Sequence, residues 1–327
     1  MIGDAVTAPM VRLRLRSAVV LAVASTASLA MFLWPLLVPP AAAGAPHAGD
    51  APLIFVLLLP ALVAIVLSEI SAGGIDTKTL AMLGVLSAVN AVLRPLGAGT
   101  AGVEMVFFLL ILAGRVFGPG FGFVLGCTSL FASALLTAGV GPWLPFQMIA
   151  SAWVGLGAGL LPRRLRGRAE LVMLAAYGVA AAYAFGFLMN LWFWPYLAQD
   201  SQLAFVPGDP LPQNLHRFLL FSLTTSTLGW DTGRAVTNAV AIALVGPAVL
   251  AVLRRAARRA AFGGRPEATV GGLSAGGLRR GGAGSEEDVS RSQRRFSKWM
   301  VSALRRTTRA IRSRRVRRRP PGRPAGR

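Results

Sequence analysis

Residues 169–197 read AELVMLAAYGVAAAYAFGFLMNLWFWPYL, a run in which Glu170 is the only charged residue. A helix crosses the hydrocarbon core of a bilayer with about 20 apolar residues, so this stretch spans with length to spare. Seven further apolar runs surround it, at 17–38, 53–70, 77–95, 101–117, 119–139, 146–162 and 231–253. The run 101–117 is short and carries Glu104, which leaves a tilted or partly re-entrant segment open. Composition agrees: hydrophobic residues make up 54% of the 327 and only 14% are charged, with a mean hydropathy of +0.59. These values expect an all-α integral membrane protein.

The charges orient the spans. Arg12, Arg14 and Arg16 precede the first run, and the connection 39–52 has no Lys or Arg. Lys78, Arg115, the cluster Arg163, Arg164, Arg166 and Arg168, and the group Arg254, Arg255, Arg258 and Arg259 all fall on the first run's entry side when eight crossings are counted. The opposite side receives only Arg94, Arg217 and Arg234. The positive-inside rule then expects a multi-pass protein of the cell membrane with both termini cytoplasmic and the connection 198–230 outside. An alternative for the N-terminus is a cleaved signal, since a basic start and an apolar run lead to Ala41-Ala42-Ala43.

Net charge is +21, but it is not evenly spread. Residues 254–327 hold 22 Arg/Lys against 4 acids, and residues 1–253 hold 12 against 9. Three regions follow: an extension 1–76 with two expected spans, a six-span core 77–253, and an Arg-rich cytoplasmic tail 254–327. The tail is too poor in apolar residues over 263–290 to fold alone. Over 291–315, Phe296, Met300 and Leu304 recur every four residues among arginines, so either an amphipathic helix on an anionic lipid surface or a solvated disordered tail fits. Charge alone would allow nucleic-acid binding by Arg312–Arg319, but the membrane character argues against it. The lone Cys127 forbids an internal disulfide, and two histidines offer no metal cluster, so no metal or cofactor is expected.

Polar side chains inside lipid are costly and usually face a bundle interior or a cavity. Here they gather at one end of the spans. Asn90 and Arg94 close the third, Glu104 opens the fourth, and Trp143 and Gln147 open the sixth. Asn190, Trp192 and Trp194 close the seventh; Trp230, Asp231, Arg234 and Asn238 open the eighth. The other end is small and apolar, with Gly114, Gly126, Gly157, Ala158 and Gly159. This asymmetry suits a solute pocket with aromatic walls and orienting amides, lined by Asn90, Arg94, Glu104, Gln147, Asn190, Trp192, Trp194, Asp231, Arg234 and Asn238. Each tryptophan also fits an interfacial aromatic belt, and Pro195 fits a helix stop. Asp231 and Arg234, three apart, suit either an ion pair or a helix cap. The Pro/Gly-rich connection Arg94–Gly102 suits a lid. Ala81, Gly84 and Ala88 form a small-residue face that lets another helix approach closely.

The six-span core, its small-residue first helix and the stretches Gly114-Arg-Val-Phe-Gly-Pro-Gly-Phe-Gly122, Gly141-Pro-Trp-Leu-Pro-Phe-Gln147 and Trp230-Asp-Thr-Gly-Arg-Ala235 resemble the substrate-binding S component of an energy-coupling factor (ECF) transporter, in particular its actinobacterial members. The resemblance implies capture of a vitamin-like small molecule on the outer face. It also implies docking on a transmembrane coupling subunit driven by two ATPase subunits, and toppling to release the cargo inside. Family members commonly dock through an Ala-xxx-Ala pattern on the first core helix. Here Val85 stands four after Ala81, and Gly84-xxx-Ala88 is the nearest match. The two extra spans and the basic tail depart from a minimal S component.

No G-x-x-x-x-G-K-[ST] phosphate loop occurs, so the chain is not the ATPase. An intramembrane enzyme would need carboxylates or a metal clustered at one depth, whereas Glu69, Asp76, Glu104, Glu170 and Asp231 scatter over both faces; no enzyme activity and no catalytic residue are expected. The remaining alternative is a membrane scaffold or sensor working through its basic tail.

Overall fold

The computed structural model describes residues 15–37, 58, 61, 64, 65, 68, 77–95, 102–196, 202–206 and 209–262. They fold into helices without a strand among the described residues, as lipid demands: a helix satisfies its own backbone hydrogen bonds where no water is present. The helices are α1 (Leu15–Leu37), α2 (Thr77–Leu93), α3 (Val106–Phe117), α4 (Pro119–Leu136), α5 (Leu144–Leu160), α6 (Arg168–Phe193), α7 (Leu211–Leu244) and α8 (Gly246–Phe262). Helices α1, α4 and α6 are each long and apolar enough to cross a membrane, α7 and α8 meet that test only together and are bent by 67° where they join, and α2, α3 and α5 are shorter apolar helices. The protein is an all-α membrane protein. Of the expected span 53–70, the described residues include Leu58 and Ile65, both buried in the main apolar core. The amphipathic segment expected at 291–315 lies outside the described residues.

Helix α3 is the centre. All twelve of its residues are buried, and at 1.5 Å per residue it is only about 18 Å long. A helix apolar on every side belongs inside a bundle rather than at its lipid face. Its neighbours approach closely because three glycines meet: a Cβ on Gly155 of α5 would strike the Gly122 carbonyl of α4, and one on Gly122 would lie 3.1 Å from the Gly114 Cα of α3. Without a hydrophobic drive between helices in lipid, such backbone proximity is what holds them together. Between α3 and α4 the chain turns at Gly118, whose φ of +100° disfavours any side chain, and Pro119 opens α4 where no amide partner is required.

The eighth span departs from expectation. The connection 198–230 is not a simple loop: α7 begins at Leu211 and runs unbroken to Leu244, so its 34 residues extend about 51 Å, well beyond the hydrocarbon thickness. Mean hydropathy missed the first half because Gln213, Asn214, His216 and Arg217 dilute it. A π-helical stretch occupies Leu223–Asp231, with the Thr232 amide donating to the Thr227 carbonyl five residues back. At Val245 the chain bends by 67° into α8, whose Leu250, Leu253, Ala257 and Ala260 form a buried stripe at spacings of three and four. Ordered structure thus passes the expected core limit of 253.

One ionic knot fixes the end where α3, α5, α6 and α8 converge. Arg115 donates from Nε to Glu170 Oε1 at 2.7 Å, from Nη1 to the Leu161 and Pro162 carbonyls at 3.0 Å each, and from Nη2 to the Leu165 carbonyl at 3.1 Å. Arg254 Nη2 reaches both Glu170 oxygens at 2.7 Å. In sequence Arg115 marks the charged side and Glu170 is one of the scattered carboxylates; here the two form a tertiary clamp.

Candidate functional site

At the opposite end, Arg234 of α7 organises the polar residues. Its Nε donates to Glu104 Oε2 at 2.7 Å and its Nη1 to Asp231 Oδ1 at 3.0 Å. The guanidinium also lies over the rings of Phe185 and Phe107, at 4.9 and 5.7 Å, which stabilise a cation held out of water. Asp231 and Arg234 therefore pair. Asp231 does not cap a helix, because α7 continues straight through it and its side chain makes no cap bond.

The π-helical stretch explains how Asp231 is satisfied. In an ordinary α-helix, positions five apart point about 140° away from one another. The wider π turn lets Ser226 Oγ donate to Asp231 Oδ2 at 2.8 Å, and Asn190 Nδ2 of α6 donates to Ser226 Oγ at 2.7 Å. Gly186 on α6 makes the room: a Cβ there would collide with the Asp231 carboxylate. Asn238 Nδ2 donates to the carbonyls of Glu104 at 3.0 Å and Arg234 at 2.8 Å, holding the entry to α3 against α7. Gly102 takes φ +83°, and a Cβ on it would strike the Trp230 carbonyl, so the segment leading to Glu104 lies directly on α7. Glu104, Asn190, Asp231, Arg234 and Asn238, widely spaced in sequence, form one network.

A second group sits at the α2–α5–α6 side of the same end. Arg94 Nη2 donates to Gln147 Oε1 at 2.7 Å, and Asn90 Nδ2 to Ser129 Oγ at 3.0 Å. Glu104 is near enough to act electrostatically on Arg94 as well as on Arg234. Next to Gln147, Phe146 lies 5.3 Å from the Trp192 ring, which also touches Tyr196 at 5.9 Å. Among the described residues, the buried polar atoms with no hydrogen-bond partner include Trp192 Nε1 and Asn90 Oδ1 in this group and Asn238 Oδ1 in the Arg234 network.

Trp194 stands apart from both groups. It is fully buried, donates Nε1 to the Leu203 carbonyl at 2.8 Å, and packs on Phe205 and Phe218 in a separate apolar cluster that braces the start of α7. Trp143 is partly exposed and bonds the Gly139 carbonyl in its own turn, as a belt residue does. The lid expected over Arg94–Gly102 falls at 96–101 outside the described residues. On α2, Ala81, Gly84 and Ala88 are all exposed, and a side chain added at Gly84 would meet nothing within 4 Å. Ser226, Ser129, Phe146 and Gly186 escaped the sequence reading: each matters through a partner distant in the chain, and Ser226 sat in an assumed loop. Among the described residues, no group of three His, Cys, Asp or Glu could hold a metal ion.

Neither a curated protein nor a solved structure matches the chain. A family model does: the substrate-specific component of ECF transporters, over residues 78–252. That is more than half of the chain, and it runs from α2 into the first half of α8, including every residue of the two polar groups. Proteins of this family are transport subunits that bind substrate rather than enzymes. The chain belongs to the ECF transporter substrate-specific component family.

Proposed function

We infer that the protein captures a vitamin-like small molecule at the Arg94–Trp192–Arg234 end of its bundle and delivers it to an ATP-driven partner. The observation that carries the reading is hydrogen-bonding capacity left unspent in one buried layer: Trp192 Nε1 and Asn90 Oδ1 beside the Arg94–Gln147 pair. Burying an unmet polar group costs about 1–3 kcal/mol, so such groups in a native protein call for a use. A ring-bearing solute with both donors and acceptors fits: an indole wall for stacking, amides for orientation, and Arg94, which donates to the neutral Gln147 amide, for an acidic group. Glu104, Asp231 and Asn190 then serve to hold Arg234 and the α6–α7 framework, while Asn238 fixes the α3 entry.

Sidedness follows from charge. Arg163, Arg164, Arg168 and Arg254 lie at the knot end, which the positive-inside rule assigns to the cytoplasm, so the capture end faces outward. The exposed Ala81–Gly84–Ala88 face supports docking on a transmembrane coupling subunit with its two ATPases, because small residues permit the closest helix approach. Replacement of Trp192 by Ala should weaken solute binding at least about tenfold, the scale of losing a stacked aromatic and its bond, while membrane insertion stays normal. Native mass spectrometry of the protein extracted from its own membranes checks this through the small molecule that co-purifies. Gly84→Leu should leave that molecule bound and abolish ATP-dependent uptake. An empty wild-type protein that recruits cytosolic partners through residues 264–327 would overturn the capture reading in favour of a scaffold.

A further inference from the structure

Helix α1 lies outside the family match, yet it is built into the capture end. Its polarity is inverted with respect to a water-soluble helix. Ser17, Leu21, Ser28 and Phe32 form the buried stripe, while Leu15, Val19, Val23 and Leu29 are exposed. Small and hydroxyl residues facing inward and branched apolar residues facing outward are the pattern of a bundle helix in lipid. It packs on α5 and α6, whereas α2 packs on α3 and α4, so the exposed small-residue face of α2 stays clear of it. Ser25 Oγ accepts a hydrogen bond from Trp153 Nε1 of α5 at 3.0 Å, which fixes the register.

Phe32 is where α1 meets the site. It is fully buried, edge-on to Phe146 at 5.1 Å and 5.9 Å from Trp153. Phe146 in turn lies 5.3 Å from Trp192, and Trp192 5.9 Å from Tyr196. One aromatic chain therefore runs from the added helix to the indole whose N–H is unspent. Phe146 precedes Gln147, the partner of Arg94, so a shift of Phe146 moves the polar group too. One turn on, Leu33 and Leu36 pack against the second cluster around Trp194 and Phe218.

The geometry points to α1 as a fixed wall of the solute site, with Phe32 the residue that positions Phe146 against Trp192. This rests on the capture reading above. The family core has its own pocket residues; α1 closes their lipid-facing side and sets how firmly a ring is held between Phe146 and Trp192. Removing one aromatic contact from that chain loosens Trp192 while leaving every polar side chain in place chemically.

The test uses the full-length protein extracted from its own membranes, with the co-purified small molecule as probe and its rate of loss on dialysis as readout. Phe32→Leu keeps helix and volume but removes the ring, and should speed loss about five-fold, about 1 kcal/mol at 1.4 kcal/mol per tenfold. Leu21→Ala, on the same buried stripe about 16 Å along the helix, should lower the melting temperature and leave the loss rate unchanged. Phe32→Leu should also shift tryptophan emission: Trp153, which Phe32 touches, contributes one part, and the part that comes from Trp192 should be lost in a Trp192→Phe background. Equal effects of Phe32→Leu and Leu21→Ala on retention, or no effect of Phe32→Leu, would overturn the positioning role. An empty wild-type protein would sink the capture reading instead. The emission arm then decides α1 alone: a Trp192-dependent shift upholds the positioning role, and its absence overturns that too.

Discussion

Two ionic centres lie at opposite ends of the same bundle, and they are built to different rules. At the knot end, Glu170 has both oxygens engaged by Arg254 and one also by Arg115, and Arg115 makes four hydrogen bonds. At the capture end, Arg234 is shared between two carboxylates, Arg94 bonds a neutral amide, and among the described residues the buried Trp192 Nε1, Asn90 Oδ1 and Asn238 Oδ1 have no partner. A saturated network rigidifies, whereas one with spare capacity can bind. On the capture reading proposed above, the difference separates what holds the helices from what would meet the solute, although both ends use the same residue types.

The comparison breaks most readily at Glu170. Its side chain is 2% exposed and that of Arg115 5%. Glu170→Ala leaves the Arg115 guanidinium buried without its counter-charge, and breaking such a pair costs about 3–5 kcal/mol. Thermal unfolding in detergent should show a large drop. Arg254→Ala should cost much less, because that side chain is 44% exposed and water takes over its charge. Equal losses would mean the knot is a surface feature.

Arg234→Met asks the same question of the other end. It strips Asp231, 2% exposed, of its cation, but Ser226 still donates to that carboxylate and Glu104 is 23% exposed. A carboxylate that retains a hydrogen bond, or turns to water, or takes up a proton, lowers the penalty to about 2–3 kcal/mol. Retention of the co-purified molecule should fall along with stability, since Arg234 anchors the segment from Gly102 to Glu104. A loss as large as that from Glu170→Ala would make this end as structural as the knot.

How much of this was legible in sequence depended on how local the signal was. Apolar runs and the sidedness of charge gave the helices of the core, since lipid leaves the backbone no alternative. The gathering of Asn90, Arg94, Gln147, Asn190, Asp231 and Arg234 at one end followed from counting crossings. Partner choice did not follow. That Glu104 reaches Arg234 depends on Gly102 lying against Trp230, a contact across more than 120 residues. The reach of α7 was hidden because a helix that leaves the membrane has no reason to stay apolar. Trp194 looked like its neighbour Trp192 in sequence, but two positions along a helix turn a side chain by about 200°, enough to send it into another cluster.

The finest test of the comparison is Ser226→Ala. Ser226 joins Asn190 of α6 to Asp231 of α7, and only the π turn lets it do so. Losing one such bridge costs about 1 kcal/mol, visible as a small decrease in melting temperature. The consequence for binding should be larger in proportion, because the freed Asn190 amide and Asp231 oxygen both join the unspent set at the capture end. Faster loss of the co-purified molecule with a barely altered melting temperature would mark the π-helical stretch as part of the site. Short π-helical stretches within α-helices occur frequently at functional sites. A change in melting temperature with retention untouched would instead assign Ser226 to the framework, on the same footing as the carbonyls around Arg115.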